Sequence, residues 1–333
     1  MSALDRGSFE THHSDQIHDC AYDYYGRRVA TASADRTVRV FEQRAKATRE
    51  SNAANESEEK THGERGSGIY GEHVATLTAH DGAVFCARWA HPKFGTLIAS
   101  ASFDHSVMIH KEIEPNVFVV AYKTPIGTFD GSVNHVSWAP HEYGCIVACA
   151  SSDGGVATFA YDQSRGTWVV EKIDNAHAIG CTGVSWAPAN QPGALVSAPN
   201  GKAHANATMR LVTSGCDNVC KVWRKEGGER WTREATLSAH VDWVRDVAWS
   251  ENMGLPMNTI ASCGQDGKVF IWTQSEPGGA WVSRELNDFK APVWRVSWSA
   301  MGNILAVSDG NNTVSIWKES IDGVWNQITA AAE

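Results

Sequence analysis

Internal repetition constrains this chain more than any other feature. Five segments each carry a hydrophobic stretch ending in tryptophan: AVFCARW (Trp89), SVNHVSW (Trp138), CTGVSW (Trp186), WVRDVAW (Trp249) and VWRVSW (Trp298). Tyr22 in IHDCAY fills the same place in a sixth. Downstream of each comes a strand of small residues, a turn, and a second strand closing on a bulky residue: SADRTVRVF, SFDHSVMIH, SSDGGVATF, GCDNVCKVW, GQDGKVFIW and DGNNTVSIW. In the first five units an aspartate (Asp35, Asp104, Asp153, Asp217, Asp266) stands six residues before the closing position (Phe41, His110, Phe159, Trp223, Trp272). Before Trp317 that place belongs to Asn311. Nine residues before the first-strand aromatic, four units carry a histidine (His13, His80, His177, His240), where Phe129 and Phe289 stand in the others.

The turn residues recur at roughly 45 to 70 positions, near the 40–45 of a WD40 blade once two insertions are set aside. At 333 residues the length alone would suggest two domains, but the repetition argues for a single propeller domain spanning 1–333. The strand alternation is that of half-buried sheet: in KVFIW, Val269 and Ile271 face one way, Phe270 and Trp272 the other. One such unit cannot bury its own faces, so neighbours must stack. The predicted fold class is therefore all-β, a six-bladed WD40 β-propeller. Its outer strands are announced by Gly, a spacer and tryptophan in four units (Trp168, Trp231, Trp281, Trp325), by HVATL from His73 in the first and by VFVVAYK from Val117 in the second.

That count predicts an unusual seam. Blade 6 already owns an outer strand around Trp325, so no place is vacant for the N-terminus, where only Ser8 to Thr11 read as plausible strand. The ring is expected to be open or weakly closed between blades 1 and 6, with apolar faces partly uncovered, a mark of a partner site or an aggregation hazard. From blade position, the seam is assigned to Ile17, His18, Val38, Val40, Val293, Val296, Ile304 and Leu305. The insertion 42–72 in blade 1 is polar and charged and reads as a loop, and the insertion 189–208 in blade 4, with Pro192 and Pro199, reads as a surface crossing.

The chemistry-bearing clusters read as structural. His80, Asp104 and Ser100, like His240, Asp266 and Ser262, invite comparison with a catalytic triad. A set repeated at fixed offsets in successive blades is a device for holding a turn, whereas an active site is needed once. Cys145 and Cys149, and Cys216 and Cys220, are spaced C-x3-C, which packing explains without a metal. These four and Cys20, Cys86, Cys181 and Cys263 are expected to be reduced, mostly buried thiols. No zinc-protease, phosphate-loop, nucleophile-elbow or dinucleotide motif occurs, so no enzyme, cofactor or metal is predicted. The formal charge of −9 and the absence of a basic stripe argue against direct nucleic-acid or membrane binding. The opening residues lack a secretory apolar core and nothing reads as a membrane span, so a cytosolic protein is expected. Asp242, Trp243, Arg245 and Asp246, at the start of blade 5, read equally as a binding hot spot or as a salt-linked loop with Trp243 packed beneath it.

The stretches HDCAYDYYGRRVATASADRTVRVF, WAHPKFGTLIASASFDHSV, VSWAPHEYGCIVACASSDGGV, HVDWVRDVAWSENMGLPMNTIASCGQDGKVFIWT and NILAVSDGNNTVSIWKESIDGVW closely resemble the Sec-thirteen family. WAHP, WAPH and WAPA after successive first strands, and the DWVRDVAW run, are not required by a propeller, which makes the likeness specific. The resemblance implies a non-catalytic scaffold, a six-bladed open propeller to which a partner donates a seventh blade. It further implies, as partners, the larger subunit of the COPII outer coat at endoplasmic-reticulum exit sites, a scaffold nucleoporin of the nuclear-pore Y-complex, and a nutrient-sensing assembly. The rival expectation is a closed WD40 receptor or adaptor, for signalling or ubiquitin ligation, that reads peptides on its top face.

Overall fold

A computed structural model describes residues 9–45, 69–189, 208–227, 230–251, 257–276 and 278–329. They form six four-stranded antiparallel sheets, each built from strands consecutive in the chain, the blades of a propeller. Blade 1 holds β1 (Ile17–Tyr22), β2 (Arg28–Ser33), β3 (Val38–Ala45) and β4 (Ile69–Leu77). Blade 2 holds β5 (Val84–Trp89), β6 (Leu97–Ser102), β7 (Val107–Glu114) and β8 (Val117–Lys123). Blade 3 holds β9 (Val133–Trp138), β10 (Ile146–Ser151), β11 (Val156–Asp162) and β12 (Thr167–Ile173). Blade 4 holds β13 (Cys181–Trp186), β14 (Met209–Gly215), β15 (Val219–Lys225) and β16 (Thr232–Ser238). Blade 5 holds β17 (Val244–Trp249), β18 (Asn258–Gly264), β19 (Lys268–Gln274) and β20 (Val282–Asp288). Blade 6 holds β21 (Val293–Trp298), β22 (Ile304–Asp309), β23 (Val314–Glu319) and β24 (Trp325–Thr329).

Each blade turns between its second and third strands by one device. The residue after the turn aspartate or asparagine adopts a left-handed conformation in all six: Arg36, His105, Gly154, Asn218, Gly267 and Asn312. Four of these carry a side chain, which costs energy there; a carboxylate ties the turn at Arg36 and His105, and at Asn312 the carboxylate of Asp309 accepts from the amides of Asn311 and Thr313. The Asp35 carboxylate accepts from the Thr37 amide at 3.0 Å, and Asp104, Asp153 and Asp266 repeat the bond to Ser106, Gly155 and Lys268. At Gly154 the backbone of His177 also approaches so closely that a Cβ would meet its carbonyl oxygen at 2.1 Å, so two constraints select glycine there.

The core lies between blades. Five clusters of buried side chains join blades 1 and 2, 2 and 3, 3 and 4, 4 and 5, and 5 and 6. Among the described residues no such cluster joins blades 6 and 1.

Two boundaries differ from the sequence reading. The expected loop 42–72 is shorter, because β3 and β4 continue into it: Glu42 pairs with Glu72, Gln43 with Gly71, Arg44 with Tyr70 and Ala45 with Ile69. Arg44 bridges Glu42 and Glu72 across this ladder, which lets a charged sequence extend a strand pair. Its remainder, 46–68, and most of the blade-4 insertion, 190–207, lie outside the described residues, as does Ser8. Phe9 to Thr11 form no strand. Phe9 packs instead on Phe41 of its own blade, ring centroids 5.0 Å apart, and against Gly71.

Candidate functional site

The repeated polar set comes first, because it explains what holds the blades. In blade 5 His240 Nδ1 lies 2.9 Å from Asp266 Oδ2, its Nε2 lies 2.9 Å from Ser262 Oγ, and the Trp272 indole N–H donates to that same hydroxyl. Blade 4 repeats it with His177, Asp217, Thr213 and Trp223. Blade 2 has His80, Asp104 and Ser100, with the His110 imidazole in the indole's place, 3.2 Å from the hydroxyl. Blade 1 has His13, Asp35 and Thr31. Burial would raise the carboxyls of Asp35, Asp104, Asp217 and Asp266, but hydrogen bonds from the histidine, joined by the turn or, at Asp217, by Lys221, outweigh it and hold them below the usual range. Burial pushes the His110 imidazole the other way, down to about 4, with the nearby His80 adding to the effect.

The geometry is that of a triad, yet it cannot serve one. Ser100 and Ser262 are wholly buried and present no hydroxyl to a substrate. Blades 3 and 6 show why the set is structural. Where Phe129 and Phe289 replace the histidine, the hydroxyl position four before the turn residue holds Cys149 and Val307. Those phenylalanines pack on Phe159 and Trp317 instead. Histidine and hydroxyl are present together or replaced together by apolar side chains, so no buried ring nitrogen is left without a partner there. Asp153 of blade 3, without a histidine, accepts among the described residues only from backbone amides, those of Asp130 and Gly155. In blade 6 Trp317 donates to Ser315.

The thiols are equally quiet. Cys86, Cys149, Cys181, Cys220 and Cys263 are buried, Cys145 and Cys216 half-buried, and burial raises all of their pKa values, to about 12 at Cys86 and about 11 at Cys145. Cys20 is exposed, the exception to the buried reading, because its strand faces the seam. No group of ligating side chains suited to a metal occurs among the described residues.

The seam itself is the feature that distinguishes one part of the ring from the rest. Counting from the turn residue, the positions five and three before it and three and five after it face the next blade. In blade 1 these are Ala30, Ala32, Val38 and Val40; in blade 2, Ala99, Ala101, Val107 and Ile109; in blade 5, Ala261, Cys263, Val269 and Ile271. All are buried, as are their counterparts in blades 3 and 4. In blade 6 the same positions are Ala306, Ser308, Val314 and Ile316, and none is buried; Val314 is 53% exposed. Blade 1 turns the opposite face toward this gap, with Cys20 and Tyr22 exposed and Phe41 covered by Phe9 of its own N-terminal segment.

A second series stops at the same place. The indole N–H of Trp89 donates to the Ala21 carbonyl of the preceding blade at 3.0 Å, Trp138 to Arg88, Trp186 to Ser137 and Trp298 to Ala248. Trp249 departs from it, its indole N–H having no hydrogen-bond partner among the described residues while its backbone amide donates to the Ser185 hydroxyl. At the seam the tryptophan is Tyr22, 58% exposed, whose hydroxyl accepts from Gln43 within the same blade.

The seam assignments made from blade position separate by face. Val38 and Val40 are buried against blade 2, and Val293, Val296 and Leu305 against blade 5, which corrects their placement at the gap. Position in a blade names the strand, but strand alternation decides which neighbour the side chain meets. Ile17 is exposed and Ile304 half-buried on the seam face, while His18 packs on Phe85 of blade 2. Val314 and Ile316 were missed, though counting from Asn311 would have found them.

Comparison with known proteins agrees with this architecture. The family described as "WD domain, G-beta repeat" matches residues 6–42, 71–111, 231–273 and 283–318. The chain is 47% identical to "Protein transport protein SEC13 homolog A" of Arabidopsis thaliana, over 96% of its own length and 97% of that protein's. It is 45% identical to "Protein SEC13 homolog" of Homo sapiens, over 95% and 90%. With "Protein transport protein SEC13" of Mycosarcoma maydis the identity is 38%, over 99% and 96%.

Proposed function

Because this chain belongs to the Sec-thirteen family, we propose that it is a non-catalytic structural subunit of protein-transport assemblies, completed at its seam by a partner polypeptide. The partner is the larger subunit of the COPII outer coat, in transport from endoplasmic reticulum to Golgi, and in a second pool a scaffold nucleoporin of the nuclear-pore Y-complex. A nutrient-sensing complex is a third candidate. On this reading the protein sits peripherally at exit sites and vesicles and at the nuclear envelope.

The observation that carries the proposal is the uncovered forward face of blade 6, Ala306, Ser308, Val314 and Ile316, beside the unpegged Tyr22 of blade 1. A closed ring would bury both. A three-stranded segment entering the gap would lay one apolar face on blade 6, at about 25 cal/mol per Å² of apolar surface buried. Blade donation suits this gap because blade 6 supplies its own four strands, so a partner adds a sheet rather than completing one.

Co-expression with a blade-forming segment of the coat subunit tests the reading. The expected result is a one-to-one complex that melts well above the chain alone and is lost in Ile316→Glu. A chain whose melting and sedimentation are unchanged by the segment contradicts it.

A further inference from the structure

The start of blade 5 resolves in favour of an exposed surface. Trp243 is not packed beneath a loop but 43% exposed, and Trp294 of blade 6 is 47% exposed beside it. Arg245 lies between them, its guanidinium carbon 5.4 Å from one ring centroid and 5.1 Å from the other. Nε of Arg245 donates to Gln265 Oε1 at 3.0 Å, Nη2 shares that acceptor, and no carboxylate stands within ion-pair distance among the described residues. Asp246, grouped with Trp243 and Arg245 by sequence, turns instead into the central channel, where it accepts from the amides of Val247 and Val296 and faces Arg295 at 4.0 Å.

Trp243, Arg245 and Trp294 form the rim of a cavity of about 880 Å³ at the channel mouth, on the side of the turns. Its charged lining is cationic, Arg245 and Arg295, in a protein of net charge −9. Burial and Arg295 lower the pKa of His18, which therefore stays neutral at pH 7. Arg295 is offset by Asp246, and the deeper Asp19 is paired with Arg88, so Arg245 carries the uncompensated charge of the mouth. Gln16 and Asn312 add amides able to meet a peptide backbone, while the Asn134 amide is engaged by Ser132, Ser152 and Cys181.

We propose that this mouth is a docking site for an acidic polypeptide segment, a carboxylate of which pairs with Arg245 while apolar side chains lie on Trp243 and Trp294. A guanidinium bound to Gln265 and within cation–π reach of two indoles has lost rotamer freedom before the ligand arrives, and its remaining donors suit a carboxylate. The tryptophans supply large apolar area with few rotatable bonds, the composition of binding hot spots. The mouth adjoins the seam, Ile17 and Ser308 lining one edge of it, while the residues assigned to the ligand, Trp243, Arg245 and Trp294, lie at the start of blades 5 and 6.

The test is fluorescence anisotropy of a labelled peptide of alternating glutamate and leucine with the full chain, against glutamine–leucine and lysine–leucine peptides and inorganic phosphate. The glutamate peptide is expected to bind alone, more weakly as salt rises, and about tenfold or more weakly in both Arg245→Ala and Arg245→Gln with unchanged melting. Ile316→Glu, which removes the seam partner, is expected to leave this binding intact. Equal binding of the glutamine peptide, indifference to both Arg245 substitutions, or phosphate as the preferred ligand would overturn the proposal.

Discussion

The junction between blades 5 and 6 and the gap between blades 6 and 1 are built from the same repeat positions with opposite outcomes. Val269 and Ile271 leave blade 5 into a cluster with Val293, Val296 and Leu305; on blade 6 Val314 is exposed and Ile316 only half-buried. The repeat specifies which face of a strand is apolar. Whether that face is buried depends on the blade that stands next to it around the ring. An apolar face repeated where nothing covers it is evidence for a partner, and the contrast between the two junctions makes that evidence quantitative.

The largest difference is expected from charge. Ile271→Asp puts an unpaired carboxylate in a closed junction and abolishes folding, whereas Ile316→Asp changes stability in urea by less than about 1 kcal/mol. Comparable losses for the two would break the comparison. Next, His240→Ala leaves the buried Asp266 carboxylate without its main partner and is expected to cost about 3–5 kcal/mol. In the apolar blade 6, Phe289→His alone destabilises, and relief requires Val307→Ser and Asn311→Asp together, measurable as a coupling in a triple-mutant cycle.

The pH dependence sharpens the contrast between blades 2 and 5. His110 has a folded pKa of about 4, below its unfolded value of about 6.5, so the unfolded chain binds the extra proton between these values and stability falls as pH drops through that window. His110→Trp, giving blade 2 the indole of blade 5, is expected to remove about 3 kcal/mol of that dependence, seen as a flatter stability profile against wild type. Below about pH 4 the depressed turn aspartates add a further loss in both proteins, since their contribution is present above the unfolded pKa and vanishes as they protonate. The smallest effect concerns the pegs. Trp298→Phe loses its bond to Ala248 and costs about 1 kcal/mol, while Tyr22→Phe at the gap costs less than about 0.5 kcal/mol in equilibrium unfolding.

The blades were legible in the sequence because each carries its own markers. Trp325 announced the outer strand of blade 6, and the offset between His240 and Asp266 reappears as a hydrogen bond. The seam residues were less legible. Val38 and Val40 belong to the right blade and the wrong face, because apolar character marks both faces of a propeller strand and only register distinguishes them. The Trp243–Arg245–Trp294 cluster was half legible: Trp243 and Arg245 stand together in the chain, but Trp294 comes from the next blade and no spacing records its arrival beside them.

Thiol accessibility measures the gap most directly. Ile316→Cys and Ile271→Cys would each be exposed to a maleimide in the monomeric chain without denaturant, with labelling read at the substituted residue by peptide mass. Rapid modification at residue 316 and protection at residue 271 is the predicted outcome, with residue 316 protected once a blade-donating segment is bound. Equal protection at both positions in the free monomer would mean that the ring closes on itself.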